Sequence, residues 1–189
     1  MGGLESGYPG LTSTAFLIAH YIPKCKIYCE PLAGLGRVAK HVEAEKYILN
    51  DMSEYAVKHL RSSFPTALVT QEDFAKAIER YDTKETFFFI DPPWGKTDYV
   101  NNAKTFCDRG VGDYYSELKI ITKKIKGDWI IAGRAEGGAR STLSVYFADS
   151  PTKVIQSPKK INGHRAKVKL VSNNPFKIQV NTLEKFVST

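Results

Sequence analysis

The chain has 189 residues, 42% of them hydrophobic and 25% charged, enough to bury one core in a single domain spanning 1–189. No apolar run reaches membrane-spanning length, and the opening "MGGLESGYPG" lacks the basic and apolar regions of a signal peptide, so a cytoplasmic location is expected. A net charge of +7 and a pI near 9.2 favour a polyanionic partner without specifying one.

Taken from the start, apolar runs alternate with amphipathic segments, the pattern of a parallel sheet covered by helices. "STAFLIAHYI" reads as a first helix, "KIYCEP" as a short strand, "GRVAKHVE" as a helix and "KYILND" as the next strand. "SEYAVKHLRSSF" follows as a helix with Ser53 as N-cap, "ALVTQED" as a strand, and "DFAKAIERY" as a helix. "TFFFID" is apolar throughout, as strands buried on both faces are. After it the long polar stretch "GKTDYVNNAKTFCDRGVGDYY" reads as a loop that closes over a substrate, its tyrosines and Lys104 lining a groove. "YYSELKIITKKI" is a helix, "DWIIAGR" a strand, and "TKVIQS" and "AKVKLVS" form a terminal hairpin around the turn-rich "PKKINGH". Much of the positive charge sits in "KIITKKIKGDW" and "SPKKINGHRAKVK", each equally readable as a solvated face. Cys25, Cys29 and Cys107 are odd in number, and "CKIYC" has neither zinc-ligand nor redox spacing, so buried or idle thiols and no metal site are expected.

Ligands of open α/β sheets gather beyond the carboxyl ends of the strands. Four strands here end in acids: Glu30 opening "EPLAGLG", Asp51 in "NDM", Asp73 in "EDF", and Asp91 in "DPPW". Asp73 fits equally well as the cap of the helix after it. Small residues in "EPLAGLG" let the backbone turn and approach a ligand, and an acid about 20 residues on, Asp51, can accept from ribose hydroxyls. Together these point to an adenosine-containing cofactor.

"EPLAGLGRV", "ND" and "FFFIDPPWG", in this chain order, resemble the S-adenosylmethionine-dependent amino-methyltransferases, in particular the DNA adenine-N6 methyltransferases. The resemblance covers the span from about Tyr8 to Trp94. It implies a Rossmann-like class I methyltransferase fold, α/β with a mostly parallel twisted sheet flanked by helices and a C-terminal antiparallel hairpin. It also implies S-adenosyl-L-methionine as cofactor. Glu30, Pro31 and the loop of Ala33, Gly34 and Gly36 would face its methionyl part, with Tyr8 and Gly10 from the segment before. Asp51 would take the ribose, and Met52, Asp73 and Phe74 the adenine; Met52 and Phe74 also fit as plain core.

The chemistry of an exocyclic amine gives its own reason for the DPPW stretch. The amine's lone pair is delocalised into the ring, and acceptors on its N–H groups localise it. Asp91 and the Pro92 carbonyl can supply them, and Pro92 and Pro93 bring no competing N–H. Trp94 can stack on the base. Lys96, Tyr99 and Lys104 are candidate substrate contacts. The expected partner is nucleic acid, DNA ahead of RNA, with the base flipped into the site. Only a short connection separates Asp73 from Asp91, so no separate target-recognition domain fits there. Relaxed specificity, a partner subunit or an RNA substrate would each answer that departure. A non-catalytic cofactor- or nucleic-acid-binding subunit is the alternative from another class.

Overall fold

Thr86–Ile90 is buried at every position, and it lies at the centre of the computed structural model, which describes residues 11, 14–93, 111–135, 142–161 and 164–177. Seven strands form one sheet. In chain order they are β1 (Cys25–Glu30), β2 (Ala44–Asn50), β3 (Leu68–Thr70), β4 (Thr86–Ile90), β5 (Asp128–Arg134), β6 (Thr152–Ile161) and β7 (His164–Ser172). Their order across the sheet is β3-β2-β1-β4-β5-β7-β6. The first five run parallel, β7 runs antiparallel to β5, and β6 antiparallel to β7. The expected mostly parallel α/β sheet with a terminal hairpin is therefore the observed one.

Strand side chains alternate between faces, and the core divides accordingly. Tyr28, Leu49, Phe87, Phe89, Ile130 and Ala132 pack on one face, while Cys29, Ile48, Phe88, Ile90, Trp129 and Ile131 pack on the other. Burial of both faces is why "TFFFI" shows no polar alternation. Among the described residues five helices flank the strands: α1 (Ala15–Ala19), α2 (Glu54–Ser63), α3 (Phe74–Tyr81), α4 (Val111–Thr122) and α5 (Thr142–Tyr146). Helix α2 starts where expected, with Ser53 Oγ accepting from the Ala56 amide, and buries Ala56, Val57 and Leu60. Helix α3 buries Phe74, Ala77 and Ile78, the i, i+3, i+4 stripe of an amphipathic helix.

Three expectations are corrected. "GRVAKHVE" forms turns and a single 3-10 turn at Ala39–His41. Gly34 and Gly36 both have positive φ, 52° and 64°, so a right-handed helix cannot begin before Arg37, and β2 starts at Ala44. Too few residues remain to repay helix nucleation. Helix α1 ends at Ala19 rather than Ile22, because Pro23 disfavours helical backbone before it. The hairpin strands extend into the expected turn, leaving only 162–163 between them.

β6 is an edge strand, and Pro158 lies within its register shift between Gln156 and Lys160. A residue without an N–H at an irregularity makes this edge a poor template for a further strand.

Candidate active site

Strand order reverses between β1 and β4, so the chain leaves these neighbours in opposite directions and a crevice opens beyond their carboxyl ends. The two motifs singled out in the sequence straddle this point. The Glu30 to Gly36 loop leaves β1, and Asp91, Pro92 and Pro93 leave β4.

Asn50, the last residue of β2, is fully buried and ties three strand ends together. Its Nδ2 donates to the Pro31 carbonyl at 2.9 Å and to the Glu72 carbonyl at 2.8 Å. Its Oδ1 accepts from Thr70 Oγ1 at 2.8 Å and from the Glu72 amide at 3.0 Å. The side chain therefore uses both donors and accepts twice, fixing the loops after β1 and β3 relative to β2.

Asp51 follows and is also buried. Oδ2 accepts from the Gly34 amide at 2.8 Å, and Oδ1 from the Ser53 amide at 2.9 Å. One carboxylate thus closes the glycine turn and fixes the chain entering α2. Burial pushes its carboxyl up, and the two amides pull it back. Gly36 permits the close passage of the loop over α2: a Cβ there would lie 2.6 Å from the Phe64 ring and 3.0 Å from a Leu60 methyl. Pro31 and Ala33 are buried, and the Ala33 amide donates to the Asn50 carbonyl at 2.8 Å.

Glu30 is buried and accepts from the Tyr28 hydroxyl. Burial drives its carboxyl up to about 8; the Tyr28 bond opposes the shift, the neighbouring charge of Asp91 adds to it, and the Ala39 amide opposes it. That interaction joins the two motifs electrostatically across the switch point. Asp91 is half-buried, Pro92 buried and Pro93 half-buried.

Asp73 is the N-cap of α3, its Oδ1 accepting from the Ala75 amide at 2.9 Å, and Phe74 is core at 2% exposure. Met52, in contrast, is 43% exposed beside Asp51 and is not a core residue. The preceding Glu72 pairs through Oε2 with Arg80 at 3.2 Å, while Oε1 is buried with no partner among the described residues. Tyr8, Gly10, Trp94, Lys96, Tyr99 and Lys104 lie outside the described residues.

Tyr114 and Tyr115 do not line a groove. They belong to α4 and are buried, Tyr114 against Phe74 with centroids 5.3 Å apart and Tyr115 stacked on Tyr146 at 6.2 Å. Asn50 and Tyr28 were missed as site residues. Tyr28 carried a signal, since residues two apart on a strand share a face and Tyr28 precedes Glu30 by two. Asn50 carried a weaker one, an amide ending an otherwise apolar run. No group of three or more His, Cys, Asp or Glu suited to a metal occurs among the described residues, and no described helix is long and apolar enough to cross a membrane.

No family model matches the chain and no curated protein matches it in sequence. Among solved structures, it is similar to a candidate methyltransferase from Streptococcus mutans in complex with SAH, with a TM-score of 0.53 and 15% identity over 84% of this chain and 95% of that one. An rRNA methylase from Streptococcus thermophilus gives 0.53 and 11% over 88% and 95%. A spermidine synthase in complex with the transition state analogue AdoDATO gives 0.57 and 16% over 94% and 67%. At these identities the shared property is the fold, a Rossmann-like one that serves more than one reaction.

Proposed function

We propose that this chain is an S-adenosyl-L-methionine-dependent methyltransferase acting on the exocyclic N6 amine of adenine in DNA. The observation that carries the reading is the placement of the Glu30 glycine loop and of Asp91-Pro92-Pro93 on either side of one switch point. The SAH held by one of the similar structures is the kind of ligand that suits the residues present. Glu30 and Asp91 are two carboxylates close enough to disturb one another, and burial holds Glu30 toward its neutral form. A cationic ligand beside them would relieve both effects.

When bound, S-adenosyl-L-methionine supplies a methyl group on positively charged sulfur. Glu30 and the loop of Ala33, Gly34 and Gly36 hold its methionyl part. Asp51 keeps lone pairs beyond those given to the Gly34 and Ser53 amides, and these accept from the ribose. Exposed Met52 covers one face of the adenine, and Asp73 accepts from its amine, with Glu72 Oε1 a second acceptor at the same strand end. On the substrate side, Asp91 and the Pro92 carbonyl accept from the target amine. They orient its lone pair toward the methyl and stabilise the positive charge that develops on nitrogen. Trp94, next in the chain, stacks on the base.

RNA is the second reading, favoured by the rRNA methylase among the similar structures and by the small connection between β3 and β4, which holds only α3. The test is transfer of labelled methyl from S-adenosyl-L-methionine to matched DNA, RNA and protein pools, with digestion of the product. Labelled N6-methyladenine from DNA is expected. Label in RNA alone moves the substrate to RNA, and no label despite cofactor binding overturns the catalytic reading in favour of a missing partner subunit or a non-catalytic role.

A further inference from the structure

The net charge of this protein equals that of one segment. From Ser150 to Leu183 there are seven Lys and Arg and no Asp or Glu. Of the chain's 27 Lys and Arg, the 20 outside this segment balance all 20 Asp and Glu, so the net +7 is the charge of the segment itself.

Strand register shows where five of these residues stand. Ile90, the last residue of β4, faces Ile131 of β5, so Asp91 leaves the sheet next to the Ala132 level while β5 continues through Gly133 and Arg134. Ala132, Gly133 and Arg134 face Leu170, Lys169 and Val168 of β7. The ladder runs one step further, with the Ala135 amide donating to the Lys167 carbonyl at 3.3 Å. β7 nevertheless starts at His164, four residues beyond the Val168 level. The hairpin therefore overhangs the end of β5 by roughly 13 Å, at a lateral distance of roughly 10 Å from β4. It rises past the proposed catalytic segment on the side where ligands gather.

Arg165, Lys167 and Lys169 occupy alternate positions of β7, so they fall on one face, spaced by roughly 6.8 Å. Val168, between Lys167 and Lys169, and Leu170, which follows, are buried in the core of the other face. Lys160 stands opposite Arg165 across the hairpin, and Lys159 precedes it. Lys169 is anchored by donating to Ser144 Oγ of α5. No carboxylate is interspersed in sequence among the cations of this segment, and the basic positions of β7 run from the level of Gly133 outward past the end of β5.

We infer that the β6–β7 hairpin is an arm that holds the phosphate backbone of a single-stranded nucleic-acid segment, with Lys167 and Lys169 engaging phosphates on one side of the target base. The inference rests on the proposed methyltransferase reading for what happens to the base. Phosphate contacts carry no sequence information, which suits a chain with no recognition domain between β3 and β4.

The test is binding of a fluorescent single-stranded oligonucleotide, as DNA and as RNA, followed by anisotropy at rising salt. The double substitution Lys167→Gln with Lys169→Gln should lower the salt slope by about 1.4, so that its loss of affinity between about 50 and 200 mM salt is about sevenfold smaller than that of the unaltered chain. Lys24→Gln with Lys46→Gln, at the amino end of the sheet, should leave the slope unchanged. Titration with S-adenosyl-L-homocysteine reports separately on the cofactor reading, and circular dichroism reports on folding; if the pair fails to fold, Lys167→Gln alone replaces it, with about half that change in slope. An unchanged slope in the folded hairpin variant, or an equal reduction in the control, overturns the arm. Failure of cofactor binding with a hairpin-dependent slope overturns the methyltransferase reading alone.

Discussion

Asp51 has two tasks, and its removal separates them from those of Asp91. Asp51→Ala leaves the Gly34 and Ser53 amides without their acceptor, a loss of about 2–4 kcal/mol that urea denaturation would register, together with weaker cofactor binding. Asp91→Ala is expected to abolish methyl transfer while leaving cofactor affinity nearly intact, and comparable affinity losses in both variants would contradict the division. Glu30 makes stability depend on pH. In the unfolded chain its proton leaves near the ordinary value of 4.5, whereas the folded chain keeps it to about 8. The stabilisation is thus complete below 4.5 and is lost as pH rises from there to about 8, at up to about 1.4 kcal/mol per pH unit. Asp51, also raised, contributes with the same sign. Urea midpoints at about pH 5, 7 and 9 should show that decline and show it flattened in Glu30→Gln.

The loop after β1 illustrates what a linear reading can and cannot see. Gly36→Ala is expected to destabilise by about 1–3 kcal/mol, measured by thermal or urea unfolding, because the new Cβ meets the Phe64 ring at a backbone angle of +64°. Periodicity in "GRVAKHVE" resembled a helix because local pattern says nothing of two left-handed glycines or of the short distance to β2. By contrast, "TFFFI" was readable as a central strand, and Ser53 as a cap, because burial on both faces and capping act through neighbours in the chain. Asp73 was legible as either a strand-end acid or a cap, and its bond to the Ala75 amide establishes the cap. The four acidic strand ends were visible in the sequence. The Asn50 clamp and the Glu30–Asp91 influence were not, since each joins segments separated by tens of residues. Tyr114 and Tyr115 stood in the sequence both at the end of the long polar stretch and at the start of "YYSELKIITKKI", and what buries them, Phe74 and Tyr146, lies far away in the chain.

Across the sheet, stability should grade from centre to edge. Amide hydrogen exchange is expected to be slowest in β1, β4 and β5, whose central residues are buried, and faster in three-residue β3 and in edge strand β6. Slow exchange in β6 matching that of β4 would refute this ordering. The same topology leaves the excess charge off centre, on the far side of β5 from the Asn50 clamp. A protein so charged does not merely attract a polyanion; it is rotated by it. During diffusional encounter with a polyanion the field would turn the hairpin end toward it before any contact forms, so fewer collisions would arrive in unproductive orientations. Ionic strength then governs the frequency of well-oriented arrivals more strongly than the lifetime of the complex they produce.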